Sequence, residues 1–458
     1  MDNKHIQHLH WRAGFGITPK QLQQYAKKSR KQIVDELFKE SKTTTPLLVD
    51  TTEIEDYYPE LFARNPLKRR EFNKKSLEKL KAFNYAWIER LSNPYELLRE
   101  KMTLFWTNHF VCKDNHIMHV QQFNNTLRAY ALGDFRDFVK TISKEAVMIK
   151  YLNSKQNKKR KPNENFAREL MELFTLGMDN YSEEDIKESA RAFTGYNHNF
   201  NGEFVLKERQ HDYEFKSFFG KRGRYDGDDI IDIILEQKQC AKFISEKIYR
   251  YFVNDKVNSK HIQEMVDVFY PNYNIEALMR FVFMSDWFYD EQNIGTKIKS
   301  PIDLLIGIQN TVPFTFENEK DVIKIQKILG QALLNPPNVA GWEGGQSWID
   351  SNTIMVRLKL ASILLSSSYI SNKKKGDFND AFKQKYYKQN KTKQPFKTQP
   401  DWNSFDKEFS DTSFKGLKTN LLSGVINSGT NEFLEDLSKL SKKEFCVQLM
   451  SLPEYQMC

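Results

Sequence analysis

Apolar residues along this chain recur mostly at intervals of three and four, and few runs alternate apolar with polar. The pattern predicts a mainly α-helical protein. The clearest stretch is NENFARELMELFTLG, residues 163–177. Asn163 suits an N-cap, Glu164 sits where the helix dipole favours an anion, and Gly177 suits the left-handed residue that ends a helix. Phe166, Leu170, Leu173 and Phe174 fall on one face. Asn165, Arg168, Glu169 and Glu172 fall at i, i+3, i+4 and i+7 on the other. As a solvated face this stripe would carry an Arg168–Glu172 pair worth a few tenths of a kcal/mol. As a buried cluster it would bring two carboxylates together, pushing their pKa values apart for acid/base work or metal binding.

The same pattern places neighbouring elements. Ser182 and Asp185 form a capping box for a second helix ending by Gly195, so 163–194 reads as an αα-hairpin. Phe200, Phe204, Leu206, Tyr213, Phe215 and Phe218 space as a small β-hairpin near 200–216. Thr18 caps a helix opened by Pro19, Asn93-Pro94 open another, and Ser300-Pro301 a third. Residues 228–252 and 261–288 read as amphipathic helices. The stretch 329–349, LGQALLNPPNVAGWEGGQSWI, is a structured loop in which Trp342 either stacks on a ligand or plugs the loop into the core. The expected organisation is a multi-helix globular domain over 1–370, a lysine-rich low-complexity insertion over 371–414, and a C-terminal helical segment over 415–458 packed on the main domain.

Composition narrows the class. With 40% hydrophobic and 13% aromatic residues in 458, a sizeable core can form. Net charge is +9 and the pI about 9.0, which admits anionic partners without requiring one. Cysteines at 112, 240, 446 and 458 form no CxxC pair, so no zinc-ribbon or dithiol motif is present. The first residues, MDNKHIQHLHWR, lack a hydrophobic signal core, and no apolar run reaches membrane-spanning length. As it stands the chain reads as soluble and cytoplasmic, or as periplasmic or exported if a leader precedes it.

Candidate chemistry gathers around the 163–177 helix. Glu169 and Glu172 are the candidate general acid/base pair, with His211 for proton transfer and Asp212 to orient it. Arg168 is the anion clamp, with Arg12, Asn165, Lys216 and Trp342 as further substrate contacts. His8 and His109 are candidate ligands for a divalent metal, the one cofactor the residue types suggest. On its apolar helix face His109 reads first as a satisfied core histidine, a ligand being the rarer outcome. Three functions are open: an enzyme, hydrolase or group transferase, acting on an anionic or sugar-containing substrate; a binding or scaffold protein whose polar cluster fixes helix packing; and a nucleic-acid binder using the basic loop 154–162 and the lysine- and tyrosine-rich segment 371–397.

Nine blocks in order carry a resemblance. They are HLHWRAGFG (8–16), LREKMTLFWTNHFV (98–111), NTLRAYALGDF (125–135), PNENFARELMELFTLG (162–177), ARAFTG (190–195), HD (211–212), IKSPIDLL (298–305), LLNPPNVAGWEGG (333–345) and SLPEYQ (451–456). Together they resemble the bacterial domain-of-unknown-function 1800 family over nearly the whole chain. The resemblance implies a predominantly helical protein, a sulfatase-like partner encoded nearby, and export signals in many members. It supports interest in His8, Arg12, His109, Asn165, Arg168, Glu169, Glu172, His211 and Asp212 without assigning them roles. Where such proteins often carry an aspartate after the YL pair, this chain has Asn153.

Overall fold

In a computed structural model the chain is mainly helical; the structure describes residues 1–55, 65–366, 396–436 and 440–458. The β structure among the described residues is three two-stranded antiparallel ladders. Tyr196–His198 pairs with Phe204–Leu206, Lys216–Phe218 with Lys221–Gly223, and Phe314–Phe316 with Thr398–Pro400. The region expected to form one hairpin therefore forms two.

Helix starts track their caps. Thr18, Ser182 and Ser300 each complete a capping box, opening Pro19–Tyr25, Glu183–Ala192 and Pro301–Thr311. The two long amphipathic runs each divide. Gly227–Leu235 and Lys238–Phe252 meet at Gln237, which is extended. Ser259–Phe269 and Ile275–Met284 are separated by a turn that holds Pro271, which has no N–H to extend the first helix, and Tyr273, left-handed at φ 48°.

Two hydrophobic clusters build the core. One gathers the N-terminal and central helices, the other Pro66–Ser92, Pro301–Thr311, Ile354–Leu365 and the C-terminal helices. Helix Leu97–His109 lies between them: Met102, Phe105 and Trp106 enter the first cluster and Leu104 the second, so it is buried on nearly every side. Of the lysine-rich segment, residues 371–395 lie outside the described residues. Residues 396–414 pack through Phe396, Phe405 and Phe409.

Candidate functional site

The 163–177 helix is α only over Asn165–Glu169 and turns π over Leu170–Thr175. Asn163 Oδ1 accepts the Asn165 N–H at 3.1 Å. At the far end the Leu176 N–H donates to the Met171 carbonyl, five residues back, at 2.8 Å, and Gly177 closes the helix at φ 82°. The last carbonyls are met from outside. Lys247 Nζ donates to the Leu173 carbonyl at 2.9 Å, and His109 Nε2 lies 3.0 Å from the Phe174 carbonyl. A carbonyl only accepts, so His109 carries its proton on Nε2 and turns the Nδ1 lone pair to Lys247, 3.3 Å away. Burial and the Lys247 ammonium hold His109 well below its usual pKa, and burial brings Lys247 down to about 8.

On the outer face, Glu169 and Glu172 are neighbours, both half-buried. Burial first, then the Glu172 charge, raises the Glu169 carboxyl above its usual range. Among the described residues no ion pair or hydrogen bond reaches Glu169; Glu172 accepts the Tyr181 hydroxyl at 3.1 Å. Arg168 does not pair with Glu172. It reaches Glu164 at 3.2 Å and, across the hairpin, Glu183 at 3.1 Å. The wider π turn and the adjacent helix decide this, and Arg168 is committed to closing the hairpin. Asn165 is exposed.

Beyond Glu169 runs a belt of titratable groups that helical spacing did not reveal. The Tyr151 hydroxyl feels both Glu169 and Cys112; Cys112 feels Glu145 and Asp114. Burial lifts Glu145 to about 7, where it accepts the Thr126 hydroxyl at 2.6 Å. His119 spans from Asp114 at 3.3 Å to the Phe200 carbonyl at 2.8 Å. His116 stacks flat on His119 at 3.7 Å, and His198 packs edge-on at 5.0 Å. Burial takes His116 down to about 3 and His198 to about 4. The three histidines come from one helix start and one strand. Their only sequence signal is the HIMH spacing at 116–119.

The other expected site residues lie elsewhere. His211 is buried, with Nδ1 2.7 Å from the Thr194 carbonyl. Asp212 does not orient it: Arg191 takes that carboxylate at 2.8 Å, with Glu188 on the other side of the guanidinium. The Lys216 ammonium is buried against the Asp212 and Glu214 carbonyls at 2.6 and 3.1 Å, and burial lowers its pKa. These contacts fasten the 211–218 strand region to helix Glu183–Ala192. Trp342 is buried; its backbone N–H and carbonyl are both held by Asn108, at 2.7 and 2.9 Å. Gly341 (φ 82°) permits this approach, since a Cβ there would lie 2.2 Å from Asn108 Oδ1. His8 is buried with Nε2 3.0 Å from the Phe288 carbonyl. Among the described residues no group of three or more His, Cys, Asp or Glu side chains is placed to hold a metal.

Arg12 belongs to a buried charge centre. Its Nη2 donates to the Asn293 carbonyl at 3.0 Å, and its Nε has no partner among the described residues. Lys299 Nζ sits between the Trp11 and Tyr455 rings, 3.8 and 3.6 Å from their centroids, with no hydrogen-bond partner among the described residues. Burial lowers it to about 7. Arg357 donates to the Lys299 carbonyl at 2.7 Å. Asp303, bonded to Lys101 at 2.6 Å, is the carboxylate that all of these cations feel.

An open cleft of about 1070 Å³, with Trp11 and Phe15 in its lining, lies between the N-terminal helices and the Phe314–Phe316 ladder. These features define a mainly helical protein with two buried charge networks and no helix, among the described residues, long and apolar enough to cross a membrane. The chain belongs to the DUF1800 family of proteins of unknown function, which matches residues 8–457. No curated protein and no solved structure is similar enough to count as a match.

Proposed function

We propose that the chain is an acid/base enzyme, a hydrolase or group transferase, acting on an anionic or sugar-containing substrate at the π turn. One observation carries the reading. Glu169 and Glu172 lie side by side, half-buried, with no cation among the described residues bonded to either. Crowded carboxylates titrate apart: one stays protonated to higher pH and donates, while its neighbour stays ionised and accepts. Glu169, raised by burial and by Glu172, is the proton donor. Glu172, steadied by Tyr181, is the base. His109 and Lys247 set the turn from behind.

A panel of chromogenic sulfate, phosphate and glycoside esters tests this. Glu169→Gln and Glu172→Gln should each lower turnover at least about 100-fold without changing Tm, and wild-type rate should fall as pH rises through the Glu169 pKa. Full activity in both variants sinks the assignment. A second reading, a binding or scaffold protein, is favoured by the Arg191–Asp212–Glu188 network, which ties a strand to a helix. In that case Arg191→Met should lower Tm and leave every assayed rate unchanged.

A further inference from the structure

The cleft is distinct from the π turn. Its walls come from the helices Asn3–Ala13, Pro19–Tyr25, Arg30–Glu40 and Pro301–Thr311 and from the ladder at Thr315 and Gln399. In a chain of net charge +9, no lysine or arginine among the described residues lines it; its charged lining residues are Glu40, Glu89 and Asp401. Asp401 is partly engaged, accepting the Ser404 N–H at 3.0 Å, and Glu89 is bonded to Tyr85. Glu40 has neither an ion pair nor a hydrogen bond among the described residues. Lys28, whose charge it feels, is bonded to Glu36.

His10 supplies the independent observation. It lines the cleft yet is only 4% exposed. Its Nδ1 lies 2.9 Å from the Ile6 carbonyl, so the proton is on Nδ1 and Nε2 presents a lone pair. That Nε2 is buried and has no partner among the described residues. The Tyr25 ring, another cleft residue, packs on His10 at 4.8 Å. An unpaired buried acceptor is costly unless something donates to it. Trp11, Phe15 and Phe314 add aromatic surface to the same walls.

We infer that this cleft binds an organic cation carrying several N–H donors, a guanidinium or primary amine on an apolar stem. Each part of the lining asks for the same chemistry. The carboxylates favour positive charge, the aromatic walls, whose Trp11, Phe15 and Tyr25 rings already carry lysine ammoniums, favour a planar apolar stem, and the histidine lone pair accepts only from a donor. An anionic ligand would meet three carboxylates and, among the described residues, no lysine or arginine. The site rests on different residues from the π turn, so either reading can fail alone.

Titration calorimetry on the full chain at low salt, with benzoyl-arginine amide as probe, decides it. Benzoyl-citrulline amide is the neutral isostere and benzoyl-glutamate amide the anionic control. The arginine compound should bind at least tenfold tighter than the citrulline compound, and the glutamate compound should not bind. Glu40→Gln, an exposed substitution, should weaken the arginine compound at least fivefold with Tm unchanged. His10→Phe, checked for folding by circular dichroism, should weaken both the arginine and citrulline compounds; if it does not fold, Glu40→Gln and Glu89→Gln decide. No binding, equal binding of the charged and neutral probes, or an unchanged affinity in Glu40→Gln overturns the inference.

Discussion

The Glu169–Glu172 pair and the Lys299–Asp303 centre both concentrate like charge, and the protein treats them in opposite ways. The carboxylates are half-buried on a helix face, form no ion pair among the described residues and keep contact with solvent. The cations Arg12, Lys101, Lys299 and Arg357 are buried and share Asp303, and Lys299 is boxed by Trp11 and Tyr455. Water access leaves the first pair free to exchange protons with solvent. Enclosure makes the second a tie between the first helix, the Pro301–Thr311 helix and the C-terminal turn. Repulsion left exposed is a chemical resource; repulsion sealed behind aromatic rings is a structural liability that one carboxylate must hold.

The sharpest way to break that contrast is Asp303→Asn. It removes the shared carboxylate, leaves buried cations uncompensated and should cost about 3–5 kcal/mol by denaturant unfolding. Next, Lys299→Met keeps the slot filled while deleting an ammonium that makes no hydrogen bond within the described residues. It should stabilise by up to about 2 kcal/mol at neutral pH. Lys299 titrates near 10.5 when unfolded and at about 7 in the fold, so the unfolded chain binds more protons between those values. Wild-type stability from this group is therefore full above pH 10.5 and lost as pH falls toward 7, and the variant should lose that slope.

His116→Phe extends the contrast to the histidine stack. His116 is pulled from 6.5 to about 3, so its contribution is present above pH 6.5 and lost as pH falls through the lower value. The variant should lose about 3 kcal/mol less than wild type between roughly pH 7 and 4, read from denaturant unfolding against pH. The smallest effect belongs to Glu172→Gln. Stability should change by less than about 1 kcal/mol, while the Glu169 carboxyl, freed of its neighbour, should titrate lower by carbon-13 NMR. An unmoved Glu169 would mean that the two carboxylates do not sense each other.

The fold was legible at most local signals, though Asn93, read with Pro94 as opening a helix, instead closes Pro66–Ser92, and the next helix starts only at Leu97. Thr18, Ser182 and Ser300 each announce a helix through a cap and its partner three residues on, and the helical class comes from apolar spacing. Partners chosen across space were not legible. Helical spacing offered Glu172 to Arg168, but Glu183 approaches from the next helix; adjacency offered His211 to Asp212, but Arg191 approaches from behind. The break after Phe269 was legible in Pro271, which the reading of 261–288 as one helix passed over, whereas the HIMH spacing says nothing of His198 arriving on a strand. Lys299 looks like any surface lysine until Trp11 and Tyr455 are brought together around it from opposite ends of the chain.

The π turn also has an arithmetic of its own. It is a helix holding one more residue than its turns need, so a single-residue deletion within Leu170–Thr175 would repair it to α. Each α-helical residue advances the direction of its side chain by about 100°. Such a deletion would swing the later side chains out of phase with Glu169, pull Leu173 and Phe174 away from Lys247 and His109, and shorten the path to Gly177. The surplus residue works as a spacer, and the relation between the two carboxylates and the rest of the helix is set by counting as much as by chemistry.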